Sequence, residues 1–139
     1  MTTNCLTLEQ IESLKSFLKE KIHPSFIWLF GSAAKGAMNL ESDVDLAFMS
    51  DDKFDRYQIF MIAQELAYKL GRNVDLIDLR AASTVMRAQI IGKGILLYEQ
   101  DSLERMRFSM LTLKEYALLN EERWAIIEKS APPEDLKHD

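Results

Sequence analysis

Cysteine is nearly missing from this chain: Cys5 is the single thiol in 139 residues. One thiol excludes an intrachain disulfide framework and fits a reducing compartment, and a chain of this length can bury a core without cross-links. Cys5 itself reads as an unreactive residue near a chain end. Histidine is almost as scarce. His23 and His138 lie far apart and lack the spacing of a zinc site, so each reads as a surface residue. Positive charge is not in excess: 17 Lys and Arg against 22 Asp and Glu leave a net charge of −5. That excludes the basic footprint of a non-specific nucleic-acid binder, but not a local phosphate site. No apolar run approaches a membrane span. The opening MTTNCLTLEQ lacks the basic-then-apolar order of a signal peptide. Neither a Walker-type loop nor a dinucleotide fingerprint is present. These absences predict a soluble, cytoplasmic protein with one domain over residues 1–130. The polar, proline-broken segment 131–139 reads as a disordered tail.

The patterning that is there alternates helix and strand. Residues 7–22 read as a helix, with Thr7 and Gln10 in a capping-box arrangement and Pro24 as the stop. Residues 26–30, FIWLF, are too short and aromatic for a helix and read as a buried strand. A turn over Gly31–Gly36 follows, then a strand over 43–49. A helix over about 53–70 takes Ser50, Asp51 or Asp52 as its cap, buries Phe54, Tyr57, Met61 and Leu66 or Ala67, and stops at Gly71. Residues 73–79 form a third strand, 83–91 a helix ending before Gly92, and 94–98 a fourth strand. Asp101 and Glu104 open a long final helix. In it Leu103, Met106, Met110, Leu113, Ala117, Trp124 and Ile127 recur in steps of three and four, interrupted at Asn120. Leu111, Leu118, Leu119 and Ile126 lie off that stripe, so the helix has more than one apolar surface to bury. The order predicts an α/β (α+β) fold: one small mixed sheet with helices packed on it.

The informative segment is Gly31-Ser32, ten further residues, then Asp43-Val44-Asp45. Asp43 and Asp45 are two apart on a strand, so their side chains share a face about 7 Å apart at Cα. Asp is disfavoured in strands, and two carboxylates about 4 Å apart repel by roughly 1–4 kcal/mol. A compensating cation is therefore expected, and Mg²⁺, which binds carboxylate and phosphate oxygens, suits the site. Asp75, between Val74 and Leu76 on the next strand, can join the cluster, as a ligand to a second metal, as the acceptor of a proton, or as both. Asp78 rivals it but has the opposite strand parity. The apolar flanks favour Asp75, and the strand-end position of Asp78 suits a capping role. Gly31 lets backbone approach a phosphate, the Ser32 hydroxyl can join the N–H groups there, and Lys35 can add positive charge. Gly-Ser alone is usually a turn and Asp-x-Asp alone usually a solvated loop. Their order along one αβ chain is what points to catalysis.

Taken together, Gly31, Ser32, Asp43, Asp45 and Asp75 resemble the motif of the nucleotidyltransferase superfamily related to DNA polymerase β, over roughly residues 26–98. Within it the chain looks like the minimal nucleotidyltransferases, in particular the MntA-type antitoxin group encoded beside HEPN-domain ribonuclease toxins. The length, the GILLYE strand and the single C-terminal helix carry that likeness. The resemblance implies a polymerase β-like core and transfer of AMP from Mg-ATP, with a two-metal site, to a tyrosine of the HEPN partner, in a hetero-oligomer with the toxin. By motif position it assigns Asp43, Asp45 and Asp75 to metal binding and catalysis, and Gly31 and Ser32 to the nucleotide. Members often carry arginines after Gly-Ser, where this chain has Ala33-Ala34-Lys35-Gly36. Arg72, Arg80 and Arg87 are candidates to restore that charge. Two other readings are stoichiometric masking of the toxin without chemistry, motivated by the many-faced final helix, and transfer to a small molecule such as an aminoglycoside. The lack of a second domain to build an acceptor pocket argues against the latter.

Overall fold

A computed structural model of the chain describes residues 6–32, 34 and 43–130. Helix α1 spans Leu8–Ile22, strand β1 Pro24–Phe30, strand β2 Val44–Ser50 and helix α2 Arg56–Leu70. Strand β3 spans Val74–Asp78, helix α3 Thr84–Lys93, strand β4 Ile95–Glu99 and helix α4 Ser102–Ser130. The four strands make one sheet in the order β3-β2-β1-β4. β1 runs antiparallel to both neighbours, and β2 and β3 are parallel, joined through α2. The expected mixed sheet is thus present, and no helix among the described residues is long and apolar enough to cross a membrane. Cys5, His138 and the segment 131–139 lie outside the described residues.

The continuous apolar run FIWLF is explained by the position of β1 inside the sheet with helices on both faces. Ile27 and Leu29 join Val44, Leu46, Phe48 and Leu76 in a core that also takes Leu14, Leu18 and Ile22 from α1 and Ala63 and Leu66 from α2. Phe26 and Trp28, of opposite parity, join Ala47, Leu79 and Ile90 under α3 and α4. Each fully buried Leu, Ile or Phe contributes about 1.5–3 kcal/mol.

Local capping follows the sequence in part. Thr7 and Gln10 close the expected capping box on α1. The helix ends at His23, which turns left-handed (φ 53°), and Pro24 starts the next strand. Helix α2 does not use Ser50, Asp51 or Asp52. Its cap is Asp55, whose side chain accepts from the Gln58 N–H while the Gln58 side chain accepts from the Asp55 N–H. Ser50 is buried: its hydroxyl donates to the Ile22 carbonyl at 2.8 Å and accepts from the Asp52 N–H. The buried face of α2 is accordingly Ala63 and Leu66, backed by Ile59, Ile62 and Leu70, and Tyr57 and Met61 are exposed. Helix α3 runs through Gly92 and ends at Gly94.

Helix α4 differs most from the sequence expectation. Thr112 is buried, and Arg105, Phe108, Ser109, Tyr116 and Leu119 are half-buried. Phe108 stacks obliquely on Phe26, with ring centroids 5.1 Å apart. The three-four stripe from Leu103 to Ile127 is exposed along most of its length. Off that stripe Leu111, Leu118 and Ile126 are exposed as well and only Leu119 is half-buried, so neither apolar surface read from the sequence is the one α4 packs with; its contact face is the mixed row of Phe108, Thr112 and Tyr116.

Candidate active site

The sheet brings three positions into one row. Phe30 on β1 pairs with Asp45 on β2, and Asp45 pairs in register with Asp75 on β3. Val44 and Leu46 are fully buried on one face of β2 and so pin Asp45 to the other. Asp43 has the same parity, one residue before the strand begins. Asp45 is half-buried, and Asp43 and Asp75 are exposed.

Gly31 closes this row. It follows Phe30 at the end of β1 with φ of +72°, a left-handed conformation that other residues adopt at a cost. A Cβ there would collide with the carboxylate of Asp45. The strand-turn junction is therefore built so that backbone, with no side chain between, lies against the acid. Ser32 follows, half-buried.

The electrostatics report the crowding. Burial, then the charge of Asp75, then that of Asp43, push the carboxyl of Asp45 up from 3.8 to about 6. Asp45 thus feels the charge of Asp75 on the neighbouring strand and of Asp43 just before its own. Among the described residues, no three acidic, histidine or cysteine side chains close into a ready-made metal cage. A site of carboxylates on neighbouring strands still suits Mg²⁺, which is usually held by one or two carboxylates together with substrate phosphates and water.

Asp78 does not join the row. Its parity is that of Val74 and Leu76, and its Oδ1 accepts from the Arg80 N–H at 2.9 Å, which caps the turn after β3. Two of the arginines named as substitutes for the missing positive charge are also engaged. Arg80 Nη2 donates to the Ser50 carbonyl. Arg87 donates to the carbonyls of Leu79 and Arg80 at 2.8 and 2.9 Å and lies over the Phe108 ring. Both fasten the turn after β3 to its surroundings. Lys35 lies outside the described residues.

Sequence reasoning missed the walls of the site. A cleft of about 650 Å³ wraps the free edge of β3, with Asp43 and Asp75 at its lip and Arg56, Phe60, Gln64 and Asn73 among its lining. So a concavity beside the acids exists without a second domain. A smaller cavity of about 170 Å³ lies against Gly31, between Phe30 and the α3 residues Met86, Gln89 and Lys93. Arg56 opens α2 and Lys93 closes α3. Nothing in their local sequence distinguishes them from ordinary helix-end residues.

The model of the polymerase beta nucleotidyltransferase family matches residues 12–103. The protein adenylyltransferase MntA of Shewanella oneidensis is 38% identical over 102 residues, covering 73% of each chain. Among solved structures, the fold is similar to a chain from the complex of tri-AMPylated Shewanella oneidensis HEPN toxin with MNT antitoxin. The TM-score there is 0.74 at 32% identity, over 87% of this chain and 95% of that one. It is also similar to a chain of a toxin–antitoxin structure with AMP-PNP, at TM-score 0.77 and 34% identity, over 86% and 96% of the two chains.

Proposed function

This chain belongs to the polymerase beta nucleotidyltransferase family, and we propose that it is an adenylyltransferase antitoxin. It moves AMP from ATP to a tyrosine hydroxyl of a partner HEPN ribonuclease and thereby silences that toxin. The observation that carries this reading is the row of Gly31, Asp45 and Asp75, with bare backbone against one acid and a second acid in register beside it. The similar proteins give its direction: one is named a protein adenylyltransferase, and solved complexes hold AMP-PNP or an AMPylated HEPN toxin. We place the protein in the cytoplasm, where ATP is available and Cys5 stays reduced.

Asp43, Asp45 and Asp75 would hold Mg²⁺, since their oxygens are hard donors that repel one another until a cation arrives. Mg²⁺ held there would neutralise the triphosphate and lower the pKa of the attacking hydroxyl. The chain's own groups do the positioning. The Gly31-Ser32 turn offers backbone N–H groups and a hydroxyl to the β- and γ-phosphates, with Lys35 adding charge. The acceptor oxygen attacks the α-phosphorus opposite the bridging oxygen. One P–O bond forms as the other breaks, and pyrophosphate leaves. Asp75, exposed at the lip of the cleft, accepts the acceptor's proton.

The test is to incubate the protein and its co-purifying partner with Mg²⁺ and ATP labelled at the α-phosphate. Label should appear on the partner. Asp43→Asn and Asp45→Asn should abolish transfer while the chain stays folded, and undiminished labelling by either overturns the assignment. A toxin neutralised by an unlabelling variant would make stoichiometric masking the function instead.

A further inference from the structure

The apolar stripe that α4 turns to solvent has the form of a coiled-coil seam. From Leu103 to Ile127 its steps alternate strictly three and four, once Asn120 is counted as a seam position. The body of the protein packs on a different side, through Phe108, Thr112 and Tyr116. Met110 is 71% exposed and Trp124 59%, and Leu113 and Ile127 are also exposed. Scattered exposed apolar residues are ordinary on a protein surface, but a continuous seam at this spacing marks a docking face.

The flanking charges say what docks. On the flank turned away from the body stand Arg107, Lys114, Glu121 and Glu128, one per heptad, all exposed. The flank is basic toward the start of the helix and acidic toward its end. Read against a reversed copy of itself, it is complementary: Arg107 meets the partner's Glu128 and Lys114 meets the partner's Glu121, each pair occurring twice. A parallel copy would set Arg107 and Lys114 against the partner's Ser102 and Ser109 and Glu121 against the partner's Tyr116, leaving Glu128 with the partner's Arg123 as its one kind of opposite-charge pair against two kinds in the antiparallel setting. The seam agrees with the antiparallel setting. Met110 falls opposite the partner's Ile127, Leu113 opposite the partner's Trp124, and the small Ala117 opposite the partner's Asn120 at the two-fold axis. A central polar residue of this kind fixes register.

We infer that α4 is a homodimerisation element, pairing two copies of this chain antiparallel through the Met110–Ile127 part of the seam. The interface is isologous, so it closes at two copies and does not propagate. It lies apart from the Asp43–Asp45–Asp75 row and does not depend on the activity proposed for it.

The experiment is light scattering and sedimentation of the full chain, purified without any partner, across the micromolar to millimolar range. The expected result is a monomer–dimer equilibrium. Glu121→Lys/Glu128→Lys makes the flank wholly basic and Arg107→Glu/Lys114→Glu makes it wholly acidic. Each should weaken self-association by about tenfold or more, since attraction becomes repulsion at every pair. Mixing the two variants should restore the dimer as a heterodimer. All four positions are exposed, so an unchanged circular dichroism spectrum and melting temperature will show that folding is intact. A wild-type chain that stays monomeric throughout overturns the inference. So do charge variants that dimerise as well as wild type. A lone monomer whose Ile127→Asp variant loses toxin binding would assign the seam to the toxin instead.

Discussion

The carboxylate of Asp45 occupies the space that a Cβ at Gly31 would need. Gly31→Ala therefore carries two penalties: the left-handed backbone, about 1–2 kcal/mol, and displacement of the acid. Gly71 provides the control. It has the same φ of +72° with nothing within 4 Å of its Cβ position. Gly71→Ala should lower the melting temperature by a few degrees and leave AMP transfer intact. Gly31→Ala should reduce transfer by about a hundredfold or more, the scale of a misplacement near 1 Å in a reacting site. Equal activity of the two variants would show that the close approach has no part in catalysis.

Asp45 also sets a pH dependence in metal-free buffer. Its carboxyl titrates near 3.8 unfolded and about 6 folded. The folded state thus holds a proton that the unfolded state has lost. The stability this contributes is complete below about pH 4, lost as pH rises through 6, and constant above that. Asp45→Asn cannot ionise. The variant's melting temperature relative to wild type should climb between pH 4 and 6 and then plateau. Adding Mg²⁺ with a nucleotide should shrink the difference by stabilising only the wild type. A difference that is flat across this range would remove the electrostatic basis for a cation there.

Arg56 and Arg87 should separate function from structure. Arg56 is the one cation among the described residues lining the cleft beside Asp43 and Asp75. Arg56→Ala should raise the KM for ATP or for the acceptor by about tenfold, the loss of a charge-assisted contact. Its melting temperature should stay close to wild type. Arg87 instead fills carbonyl acceptors of Leu79 and Arg80. Arg87→Ala should cost about 1–3 kcal/mol of stability and leave the activity of the folded fraction unchanged. Denaturant titration alongside steady-state kinetics checks both.

How far the sequence could be read depends on how local each determinant is. The acids were legible because strand parity puts Asp43 and Asp45 on one face and sets Asp75 and Asp78 on opposite ones, and the apolar flanks of Asp75 chose between the last two; the register that pairs Asp75 with Asp45 came from the sheet. The turn after β1 was legible from Gly31-Ser32. The cap of α2 was not, because Ser50, Asp51, Asp52 and Asp55 are all suitable side chains. What decides among them is the reciprocal Gln58 contact and the recruitment of Ser50 by the end of α1, a neighbour 28 positions away. Asp55→Ala should accordingly destabilise by about 1 kcal/mol. Asp51→Ala should change stability by less than half that in the same chemical melt. A reversed order would return the cap to the earlier position.

The end of α3 makes the same point with two glycines two residues apart. Glycine after a helical stretch reads as a stop, and Gly92 comes first along the chain. Yet the helix continues to Lys93, because the constraint sits at Gly94. A Cβ there would stand 2.5 Å from the Ile90 carbonyl oxygen and 2.9 Å from that of Leu29. Both are backbone atoms, one in α3 and the other in the central strand, so neither yields without moving the sheet or the helix. Gly92 faces open space. Gly92→Ala should therefore stabilise the protein by about 0.5–1 kcal/mol, through the backbone entropy glycine loses inside a helix. Gly94→Ala should destabilise it severely or prevent folding, and thermal melts of the two variants should move in opposite directions. If Gly92→Ala lowered the melting temperature instead, the helix would have to end before residue 92. Lys93 would then be removed from the cavity beside Gly31.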